Sequence, residues 1–395
     1  MATRILIAGG GIVGRTIAVA LKTRTHYEPV VFDMPPGGTD HRASAIAAAG
    51  VLALGQLGVW SRVADVAQPV ARMVVTDSAS DDLVRPEILT FEGAGEAAGP
   101  FAHMVPNAAL DTALRARCAE LGITEHTARA RTFDEDDAGI TLTLAGGAKE
   151  RGALLVAADG RGSRLRSIAG IPTIVRPYRQ YGIVGTVAHE EPHNATAVQH
   201  FLPAGPFAML PLTGNRSSIV WTERESAARS LAAMDPFLAA LEVERVFGPA
   251  LGRITVEDAL QVHPLEAILA RRYAAGRLVL AGDAAHVIHP LAGQGLNLGL
   301  RDAAALVDVL AETQRLGEDP VASAPRYARW RRADATQMTV VTDALNAMFS
   351  QKSDLLRSVR SLGSGLVNRR QWLKRAFIDE AAGLKGDLPS LMRAA

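Results

Sequence analysis

Three clusters of small and acidic residues in this chain are spaced to bind a polar ligand. The first is Gly9, Gly11 and Gly14, which fit G-x-G-x-x-G. An apolar run, Arg4–Ala8, precedes it, a helical stretch from Arg15 to Leu21 follows, and a second run, Val30–Phe32, ends on Asp33. Glycines at that spacing let a strand turn tightly into a helix and let backbone amides approach a pyrophosphate, while the terminal acid suits ribose hydroxyls. This is a dinucleotide-binding fingerprint in its required context. The second cluster runs from Gly282 to Asp302. The apolar strand Arg277–Ala281 breaks at Gly282-Asp283, and a loop with His286, His289, Pro290, Gly293, Gly295 and Gly299 leads into a helix predicted to reach about Glu312. Bare amides at such a helix start favour anions and electron-rich ligand edges. Asp283 is placed to accept hydrogen bonds from a hydroxyl chain, or else to cap the turn. The third cluster, Asp159-Gly160-x-x-Ser163-x-x-Arg166, follows the buried strand Leu154–Ala158. It builds either a polar ligand edge or a plain capped turn.

The remaining elements must position these clusters. The chain has 395 residues, 48% of them hydrophobic, enough for a large core and two intimately joined domains. A net charge of +1 gives no electrostatic reason to expect nucleic acid. Cys118 is the only cysteine, so an intrachain disulfide or redox dithiol cannot form, which fits a reducing compartment. The chain enters its first strand at Arg4 without a basic-then-apolar signal segment. The uncharged stretch Ala43–Trp60 is rich in Ala and Gly, and Ala43–Leu54 reads as a buried helix rather than a membrane span. Arg42 stands at its start, where a cation calls for a nearby anion; it is a phosphate or cofactor contact or an ordinary surface arginine. Ala71–Asp77 reads as a strand, Asp81–Pro100 as an excursion toward another domain, Asn107–Leu121 as a helix and Ile140–Leu144 as a strand. Tyr178–His189 and Ala197–Glu223 alternate apolar and polar residues, predicting an antiparallel sheet. Phe201, Phe207, Met209 and Leu210 on it either line a cavity or form plain sheet core. Ser226–Phe247 reads as helical and Arg253–His263 as a returning strand. Pro325–Arg332 starts another helix, and Lys352–Ala376 carries seven basic residues against Asp354 alone, interleaved with Leu, Val and Trp. That amphipathic basic pattern suits a membrane surface, a partner protein or a solvated face. His286 and His289 could hold a metal at i, i+3, but no third ligand is evident, so no metal is expected.

Together, Gly9–Gly14 with Asp33, Asp159–Arg166 and the phrase GDAAHVIHPLAGQGLNLGLRDA resemble the class A flavin monooxygenases of the para-hydroxybenzoate hydroxylase fold. The phrase is most similar to the ubiquinone-biosynthesis hydroxylases of that group, and DHRASAI and FLPAGPFAMLPL agree. The resemblance spans about residues 3 to 350. It implies an α/β architecture: a Rossmann-like FAD-binding domain from 1–75, 101–175 and 264–350, a β-sheet substrate domain from 76–100 and 176–263, and a basic helical tail at 351–395. It implies that Gly9, Gly11 and Gly14 cradle the FAD pyrophosphate, that Asp33 binds ribose (where relatives often carry Glu), and that Arg42 contacts the phosphate side. Asp159 then lines the groove shared with an incoming nicotinamide cofactor. Gly282 and Asp283 meet the ribityl chain, and Pro290, Gly293, Gly295, Leu296 and Asn297 face the isoalloxazine ring, where the helix start near Gly295 stabilises negative charge on the reduced flavin. Phe201, Phe207, Met209 and Leu210 are the substrate-cavity candidates. The implied activity is hydroxylation of a prenylated phenolic ubiquinone precursor with molecular oxygen, through a flavin C4a-hydroperoxide, with NAD(P)H or another electron donor. Rivals are hydroxylation of another aromatic, a flavin-dependent prenyl reductase, and a non-catalytic flavoprotein subunit. The expected location is cytoplasmic, with the tail touching a membrane's cytoplasmic face or a biosynthetic complex.

Overall fold

The computed structural model describes residues 3–34, 38, 40–77, 87–92, 99–289, 293–349 and 386–394. Pro290, residues 78–86 and 93–98 of the excursion, and the basic stretch up to residue 385 lie outside the described residues.

The first core is a six-stranded sheet ordered Ala274–Ala275, Leu278–Leu280, Leu154–Ala157, Arg4–Ala8, Glu28–Asp33, Thr124–Thr127. All its pairings are parallel except that of Ala274–Ala275. Parallel strands are covered on both faces, which is why these segments read as continuous apolar runs. Successive side chains alternate between the two covers. Ile5 and Ile7 pack with helices Ile12–Arg24, Asn107–Glu120 and Gln294–Arg315. Leu6 and Ala8 pack with Ile140, Leu142 and Leu144 of a three-stranded antiparallel sheet.

The second core is a nine-stranded sheet built on the long strand Thr173–His189, which pairs with Gln261–Ala270, Ile254–Val256 and Arg216–Glu223. Gly205–Leu212, Thr196–Leu202, Arg72–Asp77 and Glu87–Glu92 continue it, and His286–Val287 pairs with Gln261–Ala270 at the other edge. The sheet is mixed rather than antiparallel throughout, because Thr196–Leu202 runs parallel to Arg72–Asp77. Helices Glu225–Ala232 and Pro236–Phe247 cover one face.

Three segments depart from their sequence reading. Ala43–Leu54 is a strand, Ala43–Ala47, followed by a helix, Ala48–Gln56. The strand forms because Ala102–Pro106 pairs with one of its edges and the Asn297 amide serves the Ala45 carbonyl and the Ala47 amide at 2.8 and 2.9 Å. Ser226–Phe247 is split where Asp235 caps a new helix that opens on Pro236, whose missing N–H is harmless there. Arg253–His263 is two strands, Ile254–Val256 and Gln261–Ala270.

The last described residues are not a free tail. Leu391 and Met392 are buried in the first core, against helices Ala48–Gln56 and Gln294–Arg315. The Ser390 amide donates to Asp308 at 2.7 Å, and Gln56 donates to the Arg393 carbonyl at 3.1 Å. No helix among the described residues is long and apolar enough to cross a membrane.

A buried carboxylate, Asp302, joins the sheet to the helices. It accepts from the Gly282 amide at 2.8 Å, from His286 Nε2 at 2.7 Å and from Arg331 Nε at 2.7 Å. Burial raises this carboxyl, but His286 and Arg331 outweigh it and hold the group below the usual range. A depressed folded value means stabilisation that is full above about pH 4 and is lost as pH falls below it. Asp302→Asn is expected to lower stability at neutral pH by about 3 kcal/mol, the cost of breaking a buried charge network. Denaturant midpoints should show the gap at pH 7 and its narrowing in acid. An unchanged midpoint at pH 7 would make the network dispensable.

Candidate active site

The C-terminal ends of the parallel strands open onto one cavity of about 1010 Å³. Ligands bind at that edge of open α/β sheets because loops and helix starts converge there. Gly11, Gly14, Asp33, Arg42, Gly282, Asp283, Gly293, Gly295, Leu296 and Asn297 all line it. Gly9 lies beneath, at φ +106°, where a Cβ would sit 2.1 Å from the Ala158 carbonyl oxygen. A Cβ on Gly14 would meet the Gly9 oxygen at 1.9 Å, so both positions demand glycine. Helices Ile12–Arg24 and Gln294–Arg315 start at Gly11 and Gly293, without a side-chain cap or a first-turn acid. Their first amides are thus left for a ligand.

The acids differ in their surroundings. Asp33 accepts from Arg15 at 3.3 Å. Arg15 is buried and also donates to Asp111 at 2.8 Å and Glu125 at 2.9 Å. Burial lowers its pKa, but Asp111 and Glu125 outweigh that and keep the guanidinium charged. Arg15 was legible only as a cation inside an otherwise apolar helix, and the sequence reading missed it. Asp283 is open to the cavity yet surrounded by protein, and it accepts no hydrogen bond from any described residue. Burial raises its pKa, and His286, Arg161 and Arg42 only partly offset this. A carboxylate so placed is complementary to hydroxyl donors on a ligand.

Arg42 precedes a strand, not a helix, so no helix dipole acts on it. Its anion is Asp40, paired through two contacts of 2.8 Å. Burial raises the Asp40 carboxyl, but Arg42 and the Asn107 amide hold it at about 2. Asp159 is not on the cavity wall; it accepts from the Arg164 and Leu165 amides at 3.0 and 3.4 Å and caps its own helix. Arg166 of the same motif reaches the Ala284 carbonyl at 2.8 Å, tying that turn to the Asp283 loop. Asn297 spends its amide on the Ala43–Ala47 strand.

Of the substrate candidates, Leu210 lines the cavity. Phe207 and Met209 point the other way, into the core beneath the two covering helices, and Phe201 packs with Val75. Strand alternation explains the correction: Ala208 and Leu210 share the cavity face with Val184, Val220 and Thr222. The sequence reading named only Leu210 on that face and missed the others, together with Gln199 and His263. Among the described residues no group of three or more His, Cys, Asp or Glu is placed to hold a metal, and His286 spends Nε2 on Asp302.

The family described as FAD binding domain matches residues 2–342. The ubiquinone hydroxylase UbiL of Rhodospirillum rubrum is 41% identical over 401 residues, covering 98% of this chain and 92% of its own. The 3-demethoxyubiquinol 3-hydroxylase of Escherichia coli is 36% identical, covering 97% and 99%. The p-nitrophenol 4-monooxygenase PnpA of Pseudomonas putida superposes with a TM-score of 0.82 at 18% identity, covering 98% and 99%, a likeness of fold. The glycine cradle, the uncapped helix starts and the unpartnered Asp283 fit FAD. Asp283→Ala should weaken FAD binding by roughly 1.5–3 kcal/mol, at least about tenfold, through loss of a charged acceptor. Flavin fluorescence titration of apoprotein reads this directly; unchanged affinity would leave Asp283 a turn residue only.

Proposed function

From its place among the class A flavin monooxygenases, to whose FAD-binding family the chain belongs, we propose that it hydroxylates the aromatic ring of a prenylated phenolic precursor of ubiquinone. The near full-length similarity to two hydroxylases named for ubiquinone or its demethoxy precursor supports this reading most. FAD, when bound and reduced, supplies the activation of molecular oxygen.

The protein's own contribution is binding, orientation and dryness. The Gly9–Gly14 turn and the first amides of the Ile12–Arg24 helix would hold the pyrophosphate, Asp33 the ribose, and Asp283 the ribityl hydroxyls. The start of the Gln294–Arg315 helix carries partial positive charge and would stabilise negative charge on the adjoining ring. The opposite wall carries the apolar side chains Val184, Ala208, Leu210 and Val220, which would exclude water and suit a substrate ring with an alkyl substituent. NAD(P)H or another donor would supply electrons. The basic stretch at 352–376 would bring the enzyme to anionic lipid, where a prenyl chain resides, each cation contributing about 1 kcal/mol.

Two measurements test this. The flavin-loaded enzyme should consume oxygen and convert 2-farnesylphenol to a product one oxygen atom heavier by mass spectrometry. Turnover of 4-hydroxybenzoate with none of the prenylphenol would overturn the substrate class. The enzyme should also co-sediment with anionic liposomes at low salt and release at high salt. Because Leu391 and Met392 belong to the core, the control is Ala in place of the seven basic residues rather than truncation. Equal sedimentation of that variant would dismiss the membrane role of the stretch.

A further inference from the structure

His289 is fully buried on the cavity wall, and among the described residues neither of its ring nitrogens has a hydrogen-bond partner. Two unpaired nitrogens on one buried side chain are costly, so such a group calls for a reason. The ring is also held. The Tyr178 ring meets it edge-on, with centroids 4.8 Å apart at 80°. The Tyr178 hydroxyl donates to Asp343, which also accepts from Arg176 at 2.7 Å.

Tyr178 reaches this position through a break in its strand. Pro177 pairs with Glu266 and Gln180 with Leu265, so Tyr178 and Arg179 bulge out of the ladder. Arg179 sits at φ +55°, a left-handed conformation that a side chain disfavours. Bulges beside sites re-aim side chains, and this one aims Tyr178 at His289.

We propose that His289 receives the ring hydroxyl of the phenolic substrate, and that the bulged Tyr178, anchored on Asp343, positions the imidazole for it. The inference rests on the hydroxylase reading above. Burial pushes the imidazole down to about 4, with Asp343 offsetting only part, so at neutral pH one nitrogen donates and the other accepts. So weak a base takes a hydrogen bond rather than the proton. A phenol donating to it gains electron density on its ring, which favours electrophilic oxygen attack. Thr222 and His263 on the facing wall also carry buried unpartnered atoms. Neither has a clamp like that of Tyr178 on His289.

The test compares 2-geranylphenol with its methyl ether, which cannot donate. Binding to flavin-loaded protein is read from the flavin absorbance. Wild type should prefer the phenol by about tenfold, the worth of one hydrogen bond to a buried group. His289→Ala should bind both alike, near the ether's affinity, and His289→Asn should recover part of the preference. Tyr178→Phe, with its flavin spectrum intact, should lose about half of the preference on a logarithmic scale, a change that a purely structural role would not produce. A wild-type preference retained in both His289 variants overturns the proposal while leaving the hydroxylase reading in place. Wild type that binds neither probe overturns the prenylphenol reading and this inference with it.

Discussion

The Asp302 carboxylate fixes the geometry on which the cavity depends. It takes the Gly282 amide out of the loop's own hydrogen bonding and holds His286 four residues further on. Asp283, between them, is left facing outward. Arg331 closes the arrangement from the Ser323–Phe349 helix, and the Tyr327 hydroxyl on that helix donates to Leu280 at 2.8 Å. Arg166 grips the other side at Ala284. One short turn is thus gripped by side chains distant in sequence. Two aspartates in one phrase differ in their surroundings: Asp302 is satisfied inside the protein, and Asp283 faces the cavity without a hydrogen bond from any described residue.

The parts of the site legible in the sequence were those set by local sterics. Gly9 and Gly14 are dictated by backbone oxygens within the same turn and the adjacent strand, so their spacing announces the fold. The strand at Ala43–Ala47 was not legible, because its second edge is served by Asn297, 250 residues away. The D-G-x-x-S-x-x-R motif was visible, but not the reach of Arg166 to the Ala284 carbonyl, 118 residues away. Arg15 gave a faint signal, a cation amid apolar residues, whose meaning lies in three acids from other elements.

The large sheet shows a different limit. Its alternation was evident, yet both faces carry apolar residues: helices cover one and the cavity borders the other. Phe207 and Met209 therefore looked as suitable for a ligand as Ala208 and Leu210. The smaller residues face the cavity because that side must leave room, while the bulky ones fill the core against Trp221 and Phe247.

Leu391 and Met392, docked beside the Ala48–Gln56 helix, carry a consequence for how the molecule is made. The Gln56–Arg393 contact joins residues 337 positions apart. A ribosome releases the Ala48–Gln56 helix long before the side chains that finish its packing. Through that interval the growing chain shows an apolar groove to its surroundings, which favours aggregation and engages chaperones. Contacts of such long range also slow folding. The first-made domain is therefore among the last to mature, and its vulnerability to misassembly is written into the route of the chain.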